Sequence, residues 1–173
     1  ADPDQWRLDR ELAGGGALFD IGLYPLNTAR YLLDADPVAV MGRTRSSHDA
    51  FDEVDETVSF TVEFPDEVYA SCFASHNARQ SSCIYVTGTE GQVGVEPAFF
   101  QDQQRTLHVS RGDGRVSVDV TTVDQMLEEF DYFAHQIRTG GDVYADGAHG
   151  LVDMRAMEAV YEADKRDEWV AVE

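Results

Sequence analysis

TVSFTVEFPDEVYASCFASH, residues 57–76, holds two segments in which apolar and polar side chains alternate, parted by FPDE. Period-two alternation rich in Val, Thr and aromatics predicts two strands. The Pro and Asp of the separator predict a turn. So short a connection joins antiparallel neighbours, because a parallel crossover takes about a dozen residues or more.

The pattern extends outward. VAVMGRTRS (38–46) precedes this stretch, and SSCIYVTGT (81–89), GQVGVE (91–96), RTLHVSRG (105–112) and RVSVDVTTV (115–123) follow, with HNARQ, TEG and RGDG as turn-like separators. Helical spacing brackets the strands. Residues 17–33 place Leu18, Gly22, Pro25, Ala29 and Leu32 on one face, with Pro25 bending or restarting the helix because it lacks an N–H. VDQMLEEFDYFAHQIRTGG (123–141) carries Met126, Phe130, Phe133 and Ile137 at helical spacing with Gly140 as a stop, and AHGLVDMRAMEAVYEADKR (148–166) carries Leu151, Met154, Met157 and Tyr161. The class is α+β: an open, predominantly antiparallel sheet with helices packed on one face. The uncovered face must either be polar or meet another subunit. A chain of 173 residues suits a single domain, 1–173, and a domain near this size buries roughly 70% of the surface its unfolded chain exposes.

Charge narrows the function classes. The chain has 33 acidic and 13 basic residues, a net charge of −20, and Lys165 is its one lysine. The acids recur throughout, as in DRELAGG, DAFDEVDE, DQMLEEFD and EADKRDEW, which describes an acidic solvated surface. Dispersed negative charge destabilises the compact state at low salt, and near 1 M salt the Debye length falls to about 3 Å and the repulsion fades. The cytoplasm of a halophilic organism fits this pattern; an acidic docking surface for a basic partner and a nucleic-acid mimic are the alternatives. Direct nucleic-acid binding is not expected without clustered Lys and Arg. No apolar run approaches the roughly 20 residues of a membrane span. The opening ADPDQW has neither an initiator Met nor the zones of a secretory leader, and reads as a piece of something longer. Cys72 and Cys83 read as reduced core thiols, or as a cross-strand disulfide if their strands form a tight hairpin.

The chemistry-bearing stretch is GGGALFDIGLYPLNTARYLL, residues 14–33. Asp20 and Tyr24 are one helical step apart and Asn27 follows, so the three form a polar stripe opposite the Leu18–Ala29 face. A tyrosine beside a carboxylate on a rigid element can donate a proton to a carbonyl oxygen or take one from a hydroxyl, with the carboxylate orienting it. Spacing alone also allows Asp20 to cap a helix that restarts near Pro25, with Tyr24 covering the core edge. Gly14, Gly15 and Gly16 permit close approach of another chain or a ligand, and are the candidate cofactor contacts. No strand followed by GxGxxG precedes the helix, so this is not a Rossmann phosphate site.

That stretch resembles the signature opening the C-terminal domain of the glucose-fructose oxidoreductase / inositol dehydrogenase / rhizopine-catabolism (Gfo/Idh/MocA) family of NAD(P)-dependent oxidoreductases. YVTGTEGQVGVE is similar to the family's strand–Gly–strand segment, and MLEEFDYFAHQIRTGG and GLVDMRAMEAVYEA to its two closing helices, so the resemblance covers nearly the whole chain. It implies the C-terminal fold shared with glyceraldehyde-3-phosphate dehydrogenase. It also implies a two-domain enzyme in which an N-terminal Rossmann domain, absent from this chain, binds NAD or NADP and supplies the catalytic lysine of an EKP-type motif. Carried over, Asp20 matches the active-site aspartate and Tyr24 a position that is His or Tyr, with Tyr in the branches acting on aldoses and dihydrodiols. Asn27 matches a substrate-contacting Asp or Asn. The implied substrate is a sugar or polyol, and the implied partner a second copy meeting the open sheet face. Tyr24 is then the proton-transfer residue; with an ordinary pKa of about 10 it needs a nearby cation, the lysine of the other domain and the oxidised nicotinamide. Asp20 would orient that pair.

His76 and Arg79, in SHNARQ at a strand end, either line a sugar pocket or belong to a solvated turn. His149 opens the last helix near Asp146 and Asp153, a set without a structural zinc pattern. Glu128, Glu129 and the acidic run 52–56 read as solvated face. The rival reading is a non-catalytic regulatory or partner-binding module on the same fold.

Overall fold

The computed structural model describes residues 5–100 and 103–173, and every strand expected from the sequence forms. These are β1 (Ala39–Arg45), β2 (Thr57–Phe64), β3 (Val68–Ser75), β4 (Ile84–Gly88), β5 (Gly91–Glu96), β6 (Arg105–Arg111) and β7 (Gly114–Val120), joined by a short β8 (Val170–Ala171) that the periodicity did not reveal. The helices are α1 (Arg10–Ala13), α2 (Leu23–Leu33), α3 (Gln125–Thr139) and α4 (Gly147–Arg166). All strand pairs are antiparallel, as the short separators require. The strands form two four-stranded sheets, β3-β2-β1-β8 and β4-β5-β6-β7. The segment between Ser75 and Ile84 is too long for a tight hairpin, and the ladder breaks there. The chain packs as two compact units, one made of the residues up to Ala78 together with Ala145–Glu173, the other of Arg79–Tyr144.

In the first unit Val40, Val58, Phe60, Val62, Phe64, Cys72 and Ala74 point to one side of the sheet and meet Leu18, Leu26, Ala156, Met157 and Val160 from the helices. Each large side chain buried this way contributes about 1.5–3 kcal/mol. That exceeds the ~0–1 kcal/mol of a surface ion pair such as Arg43–Asp164, so the apolar face fixes the packing. A Cβ on Gly42 would meet the Val160 Cγ1 and Phe60 Cβ atoms, so its absence lets α4 close on β1.

Two helical faces differ from expectation. Ahead of α2, residues Leu18–Gly22 form a π turn, whose i→i+5 bonds take in one extra residue. Pro25 cannot donate to the carbonyl four residues back, which loosens the ladder at that point. The buried positions are then Leu18, Gly22, Leu26 and Arg30, so the inward face shifts by one residue after Gly22. In α4 the inward face is Asp153, Ala156, Met157, Val160 and Ala163, while Leu151 and Met154 are exposed. Small residues bring that helix close to the sheet, and the wider face of Leu151 and Met154 turns away.

The second unit contains the β4–β7 meander and α3. Asp124 caps α3 by accepting from the Met126 and Leu127 N–H groups, 3.1 Å each, and Gly140 ends it at φ 69°. Met126, Phe130, Phe133 and Ile137 of α3 are exposed, as are Val86, Val93, Val109 and Val116, which lie in one row across the four strands. Cys72, buried on β3, and Cys83, exposed just ahead of β4, are both free thiols, so the core-thiol expectation holds for Cys72 and not for Cys83; burial pushes the Cys72 thiol up to about 12. Among the described residues no helix is long and apolar enough to cross a membrane.

Candidate active site

The π turn carries Asp20, whose backbone N–H donates to the Gly16 carbonyl at 3.1 Å. Its carboxylate faces two cationic or potentially cationic groups, Arg7 Nε at 3.5 Å and His76 Nε2 at 3.8 Å. The Arg7 guanidinium lies over the Trp6 ring, 4.6 Å from its centre, which steadies it beside the carboxylate. Tyr24, a turn further along, is 53% exposed. The structure thus places Asp20 and Tyr24 on the open side of the helix, as the spacing requires.

His76 follows the end of β3. Its N–H donates to the Glu56 carbonyl at 2.9 Å, and its ring stacks on Phe51 at 6.1 Å and 14°. Nε2 is buried without a hydrogen-bond partner among the described residues. A polar atom left in that state costs about 1–3 kcal/mol, which makes it a candidate for contact with something outside the protein. Arg79 is exposed and belongs to the second unit.

Asn27 departs from the expected stripe. It is half-buried and turned towards α4, its Nδ2 lying 2.9 Å from His149 Nε2 and donating to Asp153 Oδ2 at 2.8 Å. Behind it stands an ion pair that the sequence reading missed: Arg30 Nη1 donates to Asp153 Oδ1 at 2.7 Å, with both side chains only 4% exposed. Arg30 also reaches Asp36 at 2.6 Å and the His149 carbonyl at 2.9 Å. Burial disfavours the guanidinium charge, but the hydrogen bonds to Asp153 and Asp36 outweigh it and leave the Arg30 pKa raised. The missed signal is spacing: Arg30 lies three residues after Asn27 and Asp153 four after His149, each pair on one helical face.

The glycine triplet has a structural explanation. Gly14, at φ 75°, ends α1. A Cβ on Gly15 would collide with the Tyr161 hydroxyl and one on Gly16 with the Asp55 carbonyl. Asp55 accepts from the Gly16 and Leu18 N–H groups at 2.8 Å each, and its own carbonyl accepts from the Ala17 N–H at 2.8 Å. The close approach is made by the protein itself, so Gly15 and Gly16 offer no cradle to a cofactor phosphate. The acidic run 52–56 likewise departs from a solvated face. Asp52 and Glu53 are exposed, but Asp55 and Glu56 are buried because they satisfy backbone donors. Glu56 accepts from the Ser47 and His48 N–H groups and from Asn77 Nδ2, and these bonds, led by that of Ser47, hold its carboxyl down at about 2.

Residues 1–94 match the family model of the GFO/IDH/MocA C-terminal domain. The chain is 53% identical, over 99% of its length, to D-xylose 1-dehydrogenase (NADP(+)) of Haloarcula marismortui, and 28% identical, over 92%, to D-xylose 1-dehydrogenase (NADP(+)) 2 of Haloferax volcanii. It covers 48% and 49% of those proteins, so it spans about half the length of the relatives it matches. Among solved structures, the aldose-aldose oxidoreductase of Caulobacter crescentus, complexed with glycerol, superposes with a TM-score of 0.92 at 33% identity, covering 99% of this chain and 52% of that one. With the D-x-x-x-Y helix, the antiparallel sheets and the closing helices in place, the chain belongs to the GFO/IDH/MocA C-terminal domain family.

Proposed function

We propose that this chain is the substrate-binding half of an NADP-dependent aldose dehydrogenase acting on D-xylose or a similar sugar. The observation that carries the reading is the Asp20–Tyr24 pair on the open side of the opening helix, with the buried His76 Nε2 aimed at Asp20. The 53% identity to a D-xylose 1-dehydrogenase supports the substrate class.

A nicotinamide dinucleotide would supply the hydride acceptor, and the residues here do not fit its phosphates; in this reading it is held outside the chain. What remains for these residues is the substrate. Tyr24, ionised beside a cation of the cofactor-binding half, would take the proton of the sugar hydroxyl on its phenolate oxygen while the hydride leaves the same carbon for the nicotinamide, and Asp20, held between Arg7 and His76, orients that hydroxyl. Asn27 and His76 offer the hydrogen bonds that fix the sugar's other oxygens. The acidic surface suits a salt-rich cytoplasm. Tyr69 and Phe73, exposed on the open face of the first sheet, suit contact with a second copy.

The test is cofactor reduction by the full-length protein in molar KCl, against aldoses, inositols and dihydrodiols. Turnover of aldoses, with Tyr24→Phe losing about a hundredfold or more in kcat and retaining cofactor affinity, supports the reading. Unchanged kcat in Tyr24→Phe, or a folded protein that turns over no aldose, overturns it; the latter favours a regulatory module.

A further inference from the structure

Asn27 presents one amide to two different partners. Asp153 is a carboxylate and can only accept, so the Asn27 NH2 group, not its carbonyl, must face it. The other proton of the same NH2 group points at His149 Nε2, 2.9 Å away, which then serves as an acceptor. Both amide protons are committed, and Oδ1 is left as an acceptor with no protein partner among the described residues. Asp153 is itself fixed by the buried Arg30, whose Nη1 also holds the His149 carbonyl. The arrangement is two-sided: Arg30 anchors both residues that orient the amide.

Resting on the sugar-dehydrogenase reading, we infer that Arg30, Asp153 and His149 are positioning residues that lock the Asn27 amide with Oδ1 outward, so that this subsite accepts a hydrogen bond from a substrate hydroxyl. The subsite therefore takes a group that donates and rejects one that can only accept. A carbonyl or fluorine at that place on the sugar leaves Oδ1 facing another acceptor.

The experiment compares D-xylose with its mono-deoxyfluoro analogues on the full-length enzyme, since fluorine keeps the size of the hydroxyl and cannot donate. One ring position distant from the oxidised carbon is expected to lose about tenfold or more in kcat/KM. That discrimination should fall towards unity in Asn27→Ala and in His149→Ala, mainly through KM, and return in His149→Gln, whose amide oxygen can accept in place of Nε2. Asp153→Asn should weaken it too, by giving the amide a second arrangement. Melting of each variant separates lost folding from lost orientation, because an unfolding defect lowers the amount of active enzyme and leaves the ratio between two substrates unchanged. Wild-type discrimination retained in His149→Ala, or no discriminated position in an active wild type, overturns the inference alone. A folded wild type that turns over no sugar overturns the reading beneath it as well.

Discussion

The Tyr161 hydroxyl donates to Asp55 Oδ1 at 2.5 Å, tying α4 to the segment that also receives the Gly16 and Leu18 N–H groups. Three donors therefore converge on one buried carboxylate. Tyr161→Phe removes one charge-assisted bond and should cost about 1–2 kcal/mol. Asp55→Ala strands all three donors and should cost about 3 kcal/mol or more, with Asp55→Asn between them. Denaturant unfolding of the full-length protein in molar KCl measures this order. Burial, and after it the bond to Asp55, raises the Tyr161 pKa. A phenol whose folded pKa is raised stabilises fully below its unfolded value of about 10 and loses that contribution as pH climbs beyond it. The alkaline fall in stability should be shallower in Tyr161→Phe.

Gly16→Ala tests the same junction from the other side. The added methyl would run into the Asp55 backbone carbonyl, which cannot swing away as a side chain could. The expected loss is about 3 kcal/mol or more, at the upper end of overpacking effects. Gly14→Ala acts by a different route, through the left-handed backbone at φ 75°, and should cost about 1 kcal/mol. Thermal melting of the two variants should keep that order.

Glu56 governs acid stability near His76. Its carboxyl is held at about 2, against an ordinary 4.5, chiefly by the Ser47 N–H and then by the Asn77 amide. A lowered folded pKa means the contribution is complete above about pH 4.5 and is lost as pH falls towards 2. Glu56→Gln should flatten the stability curve across that window, an effect readable by circular dichroism.

How much of this was legible follows from which interactions are local. Period-two alternation over 57–64 and 68–75 and the short turn between them predict β2 and β3, because side-chain direction and turn length are properties of a few consecutive residues. The placement of Asp20 and Tyr24 on the open side of the helix was legible through their spacing. Arg30–Asp153 and Asp55–Tyr161 were not: their partners lie more than a hundred residues apart, and Arg, Asp and Glu ordinarily mark solvent. The π turn escaped for a related reason. A 3.6-residue template assigns Ala29 inward, whereas one extra residue in the turn puts Arg30 there.

His76 offers a test of stability against activity. Its Nε2 is buried, unpartnered among the described residues and 3.8 Å from Asp20 Oδ2, so it costs folding energy that the isolated site does not return. His76→Phe preserves a flat ring against Phe51 and removes the stranded nitrogen. If His76 completes the substrate site, this variant should melt higher, by the equivalent of about 1 kcal/mol, and lose about tenfold or more in kcat/KM for the sugar. If the ring is only packing, kcat/KM should not move. Unfolding and steady-state kinetics on the same preparation of full-length protein decide between the two, because only a residue retained for the substrate can make the enzyme worse while its removal makes the fold better.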